Sequence, residues 1–236
     1  MKQKINICIF LFLAIAVQAQ EFPDTFIVLR ETVYLQNRGL TEIMGLYTSA
    51  KQDIENSVTG EELYLLLARC EYLIGLAFRT EGRNREAAYY FEQGIARAEE
   101  SIALRPTSEG YRLLGTSIAF LCEIKRSYGI GNFGKIEENA RKALELNPNN
   151  LVARYLIAAR YVAAPWPLTN VRKGLALLEE IIQENYLSME KEDRFNLYLM
   201  LEAACFKQRR HEEARIWRES GAELYPTNNF IKHLLQ

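Results

Sequence analysis

The sequence predicts an all-α fold: a right-handed solenoid of helical hairpins, with about four irregular repeats between an opening helix pair and a short capping helix. Three observations carry this. Apolar residues recur with helical spacing through most of the 236 residues, and no stretch alternates as a strand would. The junctions Ala103-Leu104-Arg105-Pro106-Thr107, Leu146-Asn147-Pro148 and Glu223-Leu224-Tyr225-Pro226-Thr227 each close an apolar-periodic run with a proline. Pro106 and Pro148 lie 42 residues apart, and Pro148 and Pro226 78 apart, a period near 40 that marks a repeat array.

Residues 1–19 are set aside as a secretory signal. Lys2 and Lys4 precede a run from Ile5 to Val17 that is apolar except for Asn6, and Val17-Gln18-Ala19 offers small residues for cleavage. The run is too short for a spanning helix, and no other segment is long and apolar enough, so the mature chain is expected to be soluble in the cell envelope or outside the cell. A lipid anchor would need a cysteine where Gln20 stands. Without its leader the chain has 27 basic and 30 acidic residues, a balance that argues against nucleic acid as a partner. Cys70, Cys122 and Cys205 sit in helical runs among apolar neighbours and read as buried thiols, with a Cys70–Cys122 bridge as the alternative.

In order along the chain, residues 20–67 form a degenerate hairpin. Pro23 and Asp24 open a helix to about Gln36, and Thr41 caps a second that runs to about Asn56. The array proper is read as 68–228, in units 68–107, 108–150, 151–194 and 195–228, and residues 229–236 supply a cap through Phe230, Leu234 and Leu235.

From Ala68 onward the chain resembles the tetratricopeptide repeat (TPR) family. Ile74-Gly75 with Phe78, then Ala87, Phe91 and Gly94, fill the small and large positions of one helix-turn-helix unit; Leu114-Gly115, Ile118 and Ala143 fill the next. Ile157-Ala158, Tyr161 and Gly174 follow, and Tyr198, Leu201, Ala214 and Gly221 complete the last. Small residues let helix axes approach closely, so Gly75 and Gly115 are assigned to packing. Glu202 stands where the family has a small residue. The resemblance implies a concave groove lined by helix A residues: Arg69, Tyr72, Leu76 and Arg79, then Arg112 and Thr116 with Glu109 and Ala119. Tyr155 and Val162 would follow with Val152 and Ala159, and then Asn196, Leu199 and Phe206 with Ala203. A clamp of Lys and Asn for a terminal carboxylate is not formed, since only Asn196 is of the right type. The groove would be apolar and aromatic with Arg69, Arg79 and Arg112 toward one end, or else would close on itself as core.

No catalytic constellation emerges, and no cofactor is expected. Gly129-Ile130-Gly131-Asn132-Phe133-Gly134 matches a dinucleotide fingerprint, but it follows a helix and not a strand, and reads as a turn between two helices. His211 and His233 have no partners at metal-ligand spacing. Lys207-Gln208-Arg209-Arg210 with Arg215 and Arg218 is interleaved with Glu212, Glu213 and Glu219, a salt-bridged face. In Pro165-Trp166-Pro167 the tryptophan is either presented to a partner or pinned over its hairpin.

The expected function is that of a non-catalytic, secreted or periplasmic scaffold that binds a protein or peptide of the cell envelope in its groove. The alternative is a hydrophobic or anionic small ligand. The long irregular units, the Pro-Trp-Pro turn and the leader also resemble the periplasmic TPR component associated with TRAP transporters, which implies such a ligand.

Overall fold

The structure, a computed structural model, describes residues 22–165 and 167–232. The signal segment 1–19, Trp166 and the terminal residues His233, Leu234 and Leu235 lie outside the described residues. Among those described, eleven α-helices and one 3-10 turn follow one another with no strand. They are α1 (Asp24–Leu35), α2 (Leu40–Ser57), α3 (Gly60–Thr80), α4 (Asn84–Leu104), α5 (Ser108–Ile124) and α6 (Arg126–Leu146). Then come α7 (Leu151–Ala163), α8 (Val171–Ile182), the 3-10 turn Tyr186–Ser188, α9 (Lys191–Lys207), α10 (His211–Leu224) and α11 (Asn229–Lys232). No described helix is long and apolar enough to cross a membrane.

The proline junctions explain the punctuation. Pro106, Pro148 and Pro226 each stand two residues past the end of an outer helix, α4, α6 or α10. A polar residue just beyond then starts the next helix. The Thr107 hydroxyl accepts from Gly110 N at 3.0 Å, and Asn150 Oδ1 accepts from Ala153 N at 2.9 Å. At the third junction Thr227 does something else: its hydroxyl donates to the carbonyl of Leu35, at the far end of the chain.

Helices α3/α4, α5/α6, α7/α8 and α9/α10 pack as hairpins, and α3, α5, α7 and α9 lie side by side as an inner row. Small residues make the close contacts. A Cβ on Gly75 would come within 2.5 Å of the Phe91 ring, so the ring occupies the space that glycine leaves open. At Gly174 a Cβ would meet Val162 at 2.6 Å and the Ala158 carbonyl at 2.9 Å, which brings α7 and α8 together. Glu202, in place of a small residue, is buried and takes a 2.8 Å ion pair from Arg218. The basic stretch after Lys207 is indeed salt-bridged: Arg210 pairs with Glu179 at 2.8 Å and Arg215 with Glu219 at 2.7 Å. The three described cysteines are free thiols, so no Cys70–Cys122 bridge forms.

Several sequence expectations need correction. The first unit's inner helix starts at Gly60, so a boundary at 67/68 falls inside α3; its buried face, from Leu65 to Phe78, is continuous across that point. Gly39, not Thr41, is the N-cap of α2. The glycine run 129–134 is no turn but part of α6, which Lys125 alone separates from α5. A Cβ on Gly129 would lie 3.1 Å from the Cys122 carbonyl, so glycine there admits the first turn of α6 against the end of α5, while Ile136, Ala140 and Ala143 bury the rest of the helix. At the C-terminus Phe230 remains 45% exposed, and Ile231 supplies the fully buried contact.

Candidate functional site

The array closes on itself. Helix α1 carries Phe26, Arg30 and Tyr34 four residues apart, hence on one face, and this face lies against the last unit as well as against α3. Tyr34 stacks on Tyr225 at 5.2 Å and meets the edge of Phe195 at 6.0 Å. Arg30 pairs with Glu190 at 2.7 Å and Glu192 at 3.3 Å, and Lys191 pairs with Glu31 at 2.6 Å. Asn228 Nδ2 donates to the Tyr34 carbonyl at 2.7 Å. The backbone N–H of Asn229 donates to Gln36 Oε1 at 2.7 Å, beside the left-handed turn (φ 52°) that ends α1. The first helix thus seals the inner row, and what remains of the groove is a cavity of about 570 Å³.

Its closed end is polar and its walls are apolar. Arg30, Tyr34, Arg69, Arg112, Glu192, Asp193 and Asn196 gather at one end; Leu73, Tyr72, Phe120, Leu113, Val152, Tyr155 and Leu156 form walls. Its lining reaches the surface, as a mouth, at Ile130 of α6 (85% exposed) and at Pro165 and Leu168 (52% exposed) of the α7–α8 loop.

Of the groove residues expected from sequence, Arg69, Tyr72, Arg112, Thr116, Tyr155 and Asn196 border this cavity, as do Ala119, Val152 and Ala159. The others stand elsewhere. Val162 is buried in the core against Gly174, and Leu76 and Leu199 pack on the main core. Arg79 pairs with Glu123 and stacks over Phe120 and Phe230, at 5.5 and 5.4 Å. Phe206 is exposed, edge-on to His211. Sequence reasoning missed Phe26, Arg30 and Tyr34, because α1 was assigned to a separate opening hairpin, and missed Glu190, Glu192 and Asp193. The available signal was the acidic run Glu190-Lys191-Glu192-Asp193 opening an inner helix beside a groove expected to hold Arg69, Arg79 and Arg112.

The arginines are not idle charges awaiting an anion. Arg69, only 6% exposed, donates to Glu190 at 3.0 and 2.6 Å and to Glu192 at 3.1 Å, while the rings of Phe22 and Phe26 cover it at 4.7 and 5.4 Å. Arg112 grips Glu109 through two nitrogens, Nε at 2.7 Å. Burial opposes the ionisation of Glu109 and Glu190, yet the charges of Arg112 and Arg69 hold both below the usual carboxylate range. Glu192 is raised, by burial first and then by neighbouring Glu190, so it takes up a proton more readily than a free carboxylate. Asp193 is pushed up to about 6, by burial first, with Glu190 adding and Arg112 opposing. Burial lifts Tyr72 to about 12 and Cys122 to about 11, so both stay protonated.

Such a site can bind and orient, with an aromatic wall and a hydrogen-bonding floor. Among the described residues no group of His, Cys, Asp and Glu is arranged to hold a metal ion. The phenols of Tyr34 and Tyr72 lie 3.3 Å apart, Asn196 Nδ2 donates to Tyr34 Oη at 3.0 Å, and the Thr116 hydroxyl donates back to the Arg112 carbonyl at 3.0 Å.

No protein-family profile matches the chain, and no curated protein matches it in sequence. Its helices pack as consecutive hairpins whose first members form one row. Solved structures similar to it include YrrB, a TPR protein with an unusual peptide-binding site (12% identity, 91% of each chain, TM-score 0.38), and a Podosopora anserina putative kinesin light chain with nearly identical TPR-like repeats (17% identity, 85% of this chain and 93% of that one, TM-score 0.41).

Proposed function

We propose that the protein is a non-catalytic binding protein, exported to the cell envelope by its leader, that houses a small amphiphilic molecule in the closed cavity. One observation carries this reading: α1 converts the open groove into a cavity of about 570 Å³ with apolar walls and a polar floor, a size within the roughly 300–1,000 Å³ of small-molecule sites. An extended peptide would have to displace α1 and its ion pairs with α9 to run along the inner row.

Native mass spectrometry of the protein purified from its own envelope tests the proposal, with gentle and harsh activation compared. A small mass that leaves on activation is expected, and Ala159→Trp, which fills the cavity from α7, should abolish it. A bare wild-type chain under gentle activation would count against the reading. Amino-terminal sequencing of the same sample should begin at Gln20.

A second reading is favoured by the exposed Ile130 and Leu168 at the mouth: a partner protein docks on the rim. Ile130→Asp with Leu168→Asp should then abolish co-purification of that partner while the cavity ligand is retained.

A further inference from the structure

At the closed end of the cavity the charges are matched inside the protein, with one exception. Arg30 and Arg69 share Glu190 and Glu192, and Arg112 holds Glu109. Asp193 also lines the cavity, yet among the described residues it makes no hydrogen bond and no ion pair. It stands in the first turn of α9, and Asn196 follows three residues later, on the same helical face. The Asn196 amide donates one N–H to Tyr34 and keeps its carbonyl oxygen as an acceptor. Asp193 is also near enough to the phenols of Tyr72 and Tyr155 to act on both electrostatically. The floor therefore offers two acceptors among aromatic rings, the surroundings that suit an ammonium group.

The arginine that faces the cavity beside Asp193 does not reverse this. Arg112 is neutralised by its two-point pair with Glu109. An anion set on its remaining nitrogen would meet the Asp193 charge at once, whereas a cation on Asp193 would meet an arginine whose charge is already balanced.

We propose that the cavity selects a cationic amphiphile, an alkylammonium whose head sits on Asp193 beside Asn196 and Tyr155 and whose hydrocarbon runs to the mouth at Ile130 and Leu168. This rests on the ligand-binding reading above and replaces the anionic ligand that the arginines suggested in sequence.

Titration calorimetry at neutral pH with decylammonium, decanol and decanoate, each below its micelle concentration, tests it. Decylammonium should bind about tenfold tighter than decanol, and decanoate more weakly than either. Asp193→Asn should reduce decylammonium to the affinity of decanol and leave decanol unchanged; Asp193→Ser serves if the first variant unfolds early. Decanoate binding tightest, or an ammonium preference that survives in both variants, would overturn the head-group assignment while leaving the cavity reading intact. Failure of all three probes on the wild-type protein would overturn both.

Discussion

Two of the contacts within this array are built from different chemistry. Between the inner and outer helices of the first unit, Gly75 lies under the Phe91 ring and the fit is wholly steric. Where α1 and α3 meet the last unit the contact is polar and aromatic: Arg30 and Arg69 around Glu190 and Glu192, Tyr34 on Tyr225, Asn228 on the Tyr34 carbonyl. The first kind recurs along the chain and needs only shape. The second joins residues 121 to 194 positions apart, and it makes the cavity.

The strongest way to break the closing contact is Arg69→Met. It leaves Glu190 and Glu192 with Arg30 alone, and losing one partner of a buried ion pair costs about 3–5 kcal/mol. Chemical denaturation should show that loss together with faster proteolysis near α1; a stability within error of wild type would mean the pairs are incidental. The steric contact is tested by Gly75→Leu, whose side chain would overlap Phe91 and cost about 1–3 kcal/mol. Here the midpoint of thermal unfolding should fall without faster proteolysis near α1 in the folded protein, because the overlap leaves the ion pairs of α1 in place.

A pH titration sharpens the contrast. Asp193, raised to about 6, and Glu192, also raised, bind protons more readily in the folded protein than in the unfolded chain. Their stabilising contribution is therefore fully present below the ordinary carboxylate pKa and is lost as pH rises through the folded values. Glu109 and Glu190, held low, do the reverse: they stabilise above the ordinary pKa and lose this only as pH falls through their folded values. Stability should thus peak on the mildly acidic side and decline by about 1–2 kcal/mol from about pH 5 to about pH 8. Asp193→Asn should flatten part of that slope; an unchanged slope would remove Asp193 as its source. The smallest effect belongs to Gly115→Ala. Its Cβ would meet the Ile136 carbonyl at 3.4 Å, an ordinary contact, so the helix gain of somewhat under about 1 kcal/mol should show as unchanged or slightly raised stability.

Most of the helices were legible because their signals are local. Pro106, Pro148 and Pro226 stop outer helices, and Thr107 and Asn150 start inner ones, all within a few residues of each other. The glycine run 129–134 misled because glycine favours turns only when nothing else decides, and here the burial of Ile136, Ala140 and Ala143 decides for helix. Half of the expected groove residues border the cavity, since the inner row follows the helical period. Val162, Leu76 and Leu199 do not, because each is turned into the core.

By itself, then, the sequence determined the helical hairpins, their punctuation and the glycines that let them approach, since each depends on neighbours within one or two turns. Only the tertiary structure decided that the groove is closed. Closure depends on where the last unit ends in space relative to the first helix, a position accumulated over every hairpin between them. No local pattern in Phe26, Arg30 and Tyr34 encodes that they will meet Glu190, Phe195 and Tyr225, and the charges that select a ligand follow from that meeting.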